Sequence, residues 1–424
     1  MPLLVPYSNE KGYSMRKLKR LIVTTLFVFS GCATIHAQTQ LFTVPEAIAD
    51  ADAESLLEPT RFVRGAVLDI DTAALLAATE ETEFLITALD VKDARASLVP
   101  LESPSAESKA WHGTFEGGEI TLVLRQGASI AGNEIVRQSI AAGTIRTDNG
   151  DVYQIRQADG TRVIVRQFDV ENLPEEPEGI LPDEEMPRAI EADADAAKDI
   201  AYEFTVAVFY TKKAKDAAGG TSKINAVIDL AVTETNVAYS ASKIKAKLKL
   251  VHKTQTTDSE SGGFDGMLKR LQKTSDGHMD EVHTKRNTYK ADLVVLICED
   301  DSYCGLAYRM KTESSSFSKW AFSVVNRNCA TGYYSFAHEL GHNMGCCHDA
   351  AHPCTSQIYP YAYGWHFKKG ATEYRTIMAY APGKRIQRFS NPNVKYLGVA
   401  TGKAGAAENY KTINNTANTV AAFR

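Results

Sequence analysis

Residues 336–349 read Phe-Ala-His-Glu-Leu-Gly-His-Asn-Met-Gly-Cys-Cys-His-Asp, and no other stretch limits the fold so tightly. His338 and His342 stand four apart, the spacing that puts two side chains on one face of a helix. Gly345 can take the left-handed conformation that ends such a helix. The chain must then turn, which brings His348 back to the two earlier imidazoles. Three neutral ring nitrogens meeting at one point hold a zinc ion and leave a fourth position open, the mark of a catalytic site. A structural site closes with four protein ligands. Glu339 falls beside the open side, where a carboxylate can take a proton from water and pass it to a leaving amine.

At 424 residues the chain is too long for one ordinary domain. A net charge of −5 argues against nucleic-acid binding, which would call for a basic excess. No apolar run reaches the roughly 18 residues of a membrane-spanning helix. The start is patterned for export: Met15-Arg16-Lys17-Leu18-Lys19-Arg20 precedes an apolar stretch from Leu21 to Phe29 and then small residues. Two processing routes stay open. One is a cut after Ala37, before Gln38. The other is acylation of Cys32 in the lipobox-like Phe29-Ser30-Gly31-Cys32. Six further cysteines (Cys298, Cys304, Cys329, Cys346, Cys347 and Cys354) all lie in the C-terminal half, as expected for up to three disulfides in an exported chain. Cys304 with Cys329 is the first pairing expected, and the adjacent Cys346 and Cys347 are expected to pair outward.

Between 38 and about 170 the pattern is of short strands. Ile120–Leu124, Val152–Ile155 and Val163–Val165 are separated by Asp148-Asn149-Gly150 and Asp159-Gly160. From Glu171 to Asp199 the composition turns to Pro, Glu, Asp and Ala, an acidic linker open to proteolysis. The remainder begins with a strand, Phe204–Tyr210, and a helix introduced by Gly219-Gly220-Thr221. Next comes the alternating strand Ile244–Leu250, whose lysine face reads as solvated, the alternative being a surface for an acidic partner. A helical stretch over Phe264–Arg286, interrupted near Gly277, leads to a doubly buried strand, Asp292–Cys298. This order predicts an α/β (α+β) domain with a mixed twisted sheet, and a last helix is expected over Glu408–Ala422.

The His-Glu-x-x-His-x-x-Gly-x-x-His segment, followed 30 residues later by Thr376-Ile377-Met378-Ala379-Tyr380, resembles the metzincin clan of zinc endopeptidases. With Asp349 after the third histidine and Cys304-Gly305-Leu306-Ala307-Tyr308 upstream, it is most similar to bacterial reprolysin (adamalysin)-like peptidases. The resemblance spans roughly 200–424. It implies His338, His342 and His348 as zinc ligands and Glu339 as general base and acid. Met378 would floor the metal, and Asp349 would brace the Met-containing turn. Gly305, Leu306, Ala307 and Tyr308 would form the edge strand that pairs with an extended substrate. Tyr380 is a departure: it is shared with astacins and serralysins, which gives it a role near the metal or else that of a packed cleft tyrosine. His352 and His366 lack ligand spacing and read as surface or cleft residues. Glu299, Asp300 and Asp301 could bind structural calcium, or form a solvated turn.

The expectation is a secreted zinc metalloendopeptidase made as a zymogen and acting on proteins or peptides as a monomer. Residues 1–37 would be the signal peptide, and 38–190 a small β-rich prodomain ending in the acidic linker. The metzincin-like catalytic domain, built on its active-site helix, would occupy 200–424. The propeptide has no cysteine to block a metal. Latency is therefore expected from a linker carboxylate at the metal or from steric cover. The rival readings are a permanent accessory domain in place of the propeptide, a catalytically silent zinc scaffold, and a hydrolase of non-peptide amides or esters.

Overall fold

The computed structural model describes residues 5–6, 39–45, 61–131, 134–174, 176–187 and 201–424. The signal segment, Cys32, the cut before Gln38 and residues 188–200 of the linker lie outside the described residues. Among those described, no helix is long and apolar enough to cross a membrane.

The N-terminal unit is an antiparallel meander. Phe62–Ile70 pairs with Arg162–Phe168, then come Val152–Asp159, Glu134–Thr147, Gly118–Ala131, Ser108–Phe115 and Val99–Leu101. Asp148-Asn149-Gly150 turns the chain between two of these strands, with Gly150 at φ +92°. The nearly unbroken apolar run Ile120–Leu124 has a physical reason. Ile120, Leu122 and Leu124 enter the unit's own core with Trp111, Tyr153 and Val163. Val123 faces the other way and packs with Ile140 against Ala226 and Leu230 of the next unit. The sheet is thus covered on both faces, one of them by the C-terminal part of the chain.

The C-terminal unit is a mixed α/β fold around a five-stranded sheet. Its strand order is Ala246–Gln255, Tyr202–Tyr210, Leu293–Cys298, Phe322–Asn326, Gly305–Ala307. The first four run parallel and the last antiparallel. Leu293–Cys298 is central and every residue is buried, which explains its continuous apolar run. The helix Thr221–Ala241 starts after the positive-φ pair Gly219 and Gly220. The Phe264–Arg286 region forms two helices, Gly263–Gln272 and Asp280–Thr288, parted around Gly277 at φ +83°. Asn409–Val420 closes the chain.

Two readings are refined. The lysines of the Ile244–Leu250 face are largely exposed, as read, but the face also meets acidic neighbours. Lys247 pairs with Glu102 of the N-terminal unit, and Lys253 reaches the buried Asp229, which also takes Arg125 at 3.0 Å. A lysine face seen in one strand cannot reveal an acidic neighbour folded onto it from a distant part of the chain. The cysteines give two disulfides, Cys304–Cys329 and Cys347–Cys354. Cys298 and Cys346 stay free and buried. Together the two bridges tie down the loops before and after the Ser335–Asn343 helix.

Glu234, buried on the Thr221–Ala241 helix, accepts the Gly332 N–H at 2.8 Å. Burial raises its carboxyl to about 7, although the bond from Gly332 opposes the rise. A proton held more tightly when folded means stability falls as pH climbs from about 4.5 to about 7, by about 3 kcal/mol at most. Glu234→Gln keeps the acceptor and removes that loss. In urea melts its gain over the wild type should be about 1 kcal/mol at about pH 5 and reach about 3 kcal/mol at about pH 8. Parallel pH profiles would contradict this assignment.

Candidate active site

The helix Ser335–Asn343 lies wholly inside the protein. Phe336, Ala337 and Leu340 join the main core, which leaves His338, Glu339 and His342 on the opposite face. Gly345, at φ +89°, ends it. The Gly345 N–H donates to His342 O and the Cys346 N–H to Gly341 O, both at 2.9 Å, the paired bonds of a Schellman motif. That turn swings His348 back to the helix.

His348 Nε2 stands 3.1 Å from His338 Nε2 and 3.0 Å from His342 Nε2. On the far side of each ring, His338 Nδ1 lies 2.9 Å from Ile377 O and His342 Nδ1 2.9 Å from Cys346 O. A carbonyl only accepts, so each Nδ1 carries the proton and each Nε2 presents a lone pair. Burial, reinforced by the neighbouring imidazoles, holds His338 and His348 well below the usual range. Burial, with Arg309, takes His342 down to about 4. Neutral nitrogens with converging lone pairs cannot satisfy one another, and they suit a divalent cation. Ligands on a tetrahedral zinc with bonds of about 2.0–2.1 Å lie about 3.3 Å apart, close to these separations. The residues present therefore fit the metal.

Glu339 completes the face. Both its oxygens are buried and neither has a hydrogen-bond partner. Burial first, and Glu176 second, push its carboxyl well above the ordinary value. A Cβ at Gly305 would stand 2.2 Å from Glu339 Oε1, so only glycine lets the edge strand pass the carboxylate this closely. Met378 lies beneath, its sulfur 2.7 Å from where a Cβ on Gly341 would sit. Asp349 Oδ2 accepts the Tyr380 N–H at 3.0 Å, which ties the third-histidine loop to the Met-containing turn. Hydrogen bonds from His366, Tyr380 and His352 outweigh the burial of Asp349 and lower its carboxyl strongly. The Tyr380 ring packs on His348, centroids 3.8 Å apart.

Gly305–Ala307 is the sheet edge, and Asn343 Nδ2 donates to Tyr308 O at 2.7 Å, locking that edge to the helix. The outer side of the edge is covered by the chain's own residues 176–187. Ile180 N–H donates to Ala307 O and Arg309 N–H to Ile180 O, both at 2.8 Å, in parallel pairing. Gly179 passes directly over His342. Glu178 accepts from Arg309 at 3.1 Å and from the Thr355 N–H at 3.0 Å. Glu184 accepts from Trp320 at 2.8 Å, and Met186 enters the main core. Glu176 is buried against Arg385 and Ser335, its Oε2 3.6 Å from His338 Nδ1.

Gly179, Arg309, Arg375 and Arg385 carried no signal in the sequence, because each meets the site only through tertiary contact, whereas Glu176 is one of the linker acids expected near the metal. His352 and His366 were read as ordinary residues, yet both hydrogen-bond Asp349. The candidate calcium acids are engaged otherwise. Glu299 pairs with Arg327, Asp300 accepts from Ser302, and Asp301 pairs with Arg61. Among the described residues only two clusters suit a metal: the three histidines, and Glu176 with His338 and Glu339.

A convergent histidine triad with an acid on the same buried helix defines a metzincin-like zinc metallopeptidase. Residues 201–390 match metallo-peptidase family M12, described as reprolysin type. The chain is 35% identical over 392 residues to a peptidyl-Asp metalloendopeptidase of Xanthomonas campestris pv. campestris, covering 89% of this chain and 90% of the relative. A peptidyl-Asp metalloendopeptidase of Stenotrophomonas maltophilia is 34% identical over 373 residues, covering 84% of this chain and 86% of the relative. One from Pseudomonas fragi is 33% identical over 195 residues, 45% of this chain and 100% of the relative. The chain belongs to the M12 metallopeptidases and is a metalloendopeptidase.

Proposed function

We propose that the chain is an exported zinc endopeptidase, made as a zymogen, that cleaves proteins at aspartyl residues. The single observation that carries the site assignment is the meeting of three buried imidazole Nε2 atoms, about 3 Å apart, beside a buried carboxylate with no partner of its own. His338, His342 and His348 would hold the zinc. When bound, the ion supplies a Lewis acid that polarises the scissile carbonyl and makes water more acidic. Glu339, beside the three histidines, accepts the proton of the attacking water and delivers it to the departing amine. Met378 and Asp349 keep the floor and the third ligand in register. Tyr380, stacked on His348, borders the place where charge develops on the carbonyl oxygen. The aspartyl preference follows the names of the relatives.

Residues 1–37 act as the leader, 38–190 as the propeptide and 200–424 as the catalytic domain. The course of residues 176–187 supports latency, since they lie on the edge strand and over His342. Disulfides in the catalytic part agree with an oxidising compartment outside the cell.

N-terminal sequencing and intact mass of the exported protein test this reading, with casein hydrolysis measured before and after chelation. The expected result is a new N-terminus between 180 and 202 that appears with activity. Chelation should abolish that activity and added zinc restore it. A product that starts at Gln38 or at an acylated Cys32 and is fully active with its linker intact would refute the zymogen reading. A trimmed, zinc-loaded chain inert on casein would refute the catalytic one.

A further inference from the structure

Arg385 lies 4% exposed behind the site helix, with its guanidinium 4.1 Å from the centre of the Tyr333 ring. Its Nη1 donates to Tyr333 O and to Glu176 Oε1, each at 3.0 Å, and its Nη2 donates to Glu176 Oε2. Ser335, the first residue of the site helix, adds a hydroxyl donor to Glu176 Oε1. Arg375 stands beside them. It donates to Gly383 O, Ala379 O and Tyr333 Oη, which fixes Tyr333 and adds a second positive charge. Burial alone would raise the Glu176 carboxyl, yet Arg385, Ser335 and Arg375 hold it below the ordinary range. The forked, charge-assisted grip is the geometry that reads a carboxylate.

The cradle adjoins the reacting groups. One oxygen of Glu176 and one of Glu339 lie within 4.8 Å of each other and of a ring nitrogen of His338. Its occupant comes from the segment that crosses the cleft, not from the walls. Without Glu176, Arg385 keeps only Tyr333 O of the acceptors named above. A buried cation stripped of its anion is costly, so the cradle calls for another carboxylate. Arg309 is the other arginine facing the segment, but it is bound by Thr355 O and Ser356 O, and its partner Glu178 remains 41% exposed. Both guanidinium ends of Arg309 keep carbonyl acceptors when the segment leaves, whereas Arg385 loses its anion.

We propose that Arg385, supported by Arg375, Tyr333 and Ser335, is the specificity pocket that takes the acidic side chain of a substrate, and that Glu176 fills it as an internal stand-in. The inference rests on the Asp-directed reading given above and supplies its structural basis. It makes the zymogen segment a competitor for the substrate's own recognition site, in addition to a cover over the edge strand.

The test uses the zinc-loaded full chain cut in its linker with trypsin, which can act at Arg188 and Lys198. Two peptides that differ only in Asp or Asn at one position are compared by kcat/KM. The wild type should prefer Asp, Arg385→Gln should lose at least about 30-fold of that preference, and Arg385→Lys, which keeps the charge but not the fork, should keep only part of it. A synthetic peptide of residues 173–181 should inhibit the wild type at least about tenfold more tightly with Glu at 176 than with Gln, a readout that needs no variant enzyme. Folded, zinc-replete Arg385→Gln with an unchanged Asp-to-Asn ratio would overturn the pocket while leaving Asp-directed cleavage intact. Equal inhibition by the two peptides would do the same. A wild type indifferent to Asp and Asn would overturn the Asp-directed reading, and the pocket with it.

Discussion

Glu339→Gln is expected to lower kcat on an aspartyl peptide by about 10³-fold while the protein keeps its zinc and its fold. The amide has the shape of the carboxylate but cannot take a proton from water at neutral pH, so proton transfer is lost and positioning is kept. Nothing in the fold depends on the charge, since neither Glu339 oxygen has a partner and burial already disfavours the ionised form. The melting temperature should stay close to that of the wild type, because the amide matches the carboxyl in shape and leaves the same position without a partner. The measurement is kcat together with zinc content and a thermal melt of the same preparation. Turnover within about tenfold of the wild type, with zinc bound, would remove Glu339 from the chemistry and point to another base.

How much of this was legible depends on sequence distance. The three histidines, Glu339 and Gly345 fall within eleven residues, and helix periodicity with one left-handed glycine is enough to assemble them. Leu293–Cys298 was readable because a strand buried on both faces must be apolar throughout. Residues 176–187 were not. Their acids belong to a Pro- and Glu-rich stretch of the kind that ordinarily stays in water. They become ordered only because Arg385, 209 residues away, and the open edge at Ala307 are waiting in the folded protein. Cysteine parity set only an upper limit, which the expected Cys304–Cys329 bridge and one other fall within. An even number permits three bridges, but Cys298 ends the central strand and Cys346 sits in the turn after the site helix, each sealed in the core. Counting thiols carries no information about where they end up.

In the uncut chain, Gly179→Val is expected to raise turnover by about 10²-fold, with cutting of the linker then bringing wild type and variant together. A Cβ at this position would stand 2.8 Å from Arg309 Cβ and 3.0 Å from His342 Cγ. Neither neighbour can yield, for Arg309 is fixed by Thr355 O and Ser356 O, and His342 by Cys346 O. The segment must lift instead, and lifting breaks the two bonds of Ile180 to the edge strand. Overpacking costs about 1–3 kcal/mol and each lost hydrogen bond about 1 kcal/mol. A net weakening of about 3 kcal/mol moves a closed–open equilibrium by about 10²-fold. The assay is hydrolysis of an aspartyl peptide by intact, zinc-loaded protein, with mass spectrometry to confirm that the linker is unbroken. Turnover no higher than that of the uncut wild type would mean that the contact over His342 does not maintain latency. Latency would then rest on the deeper anchors, Glu176 in its arginine cradle and Met186 in the core, which Gly179 does not touch.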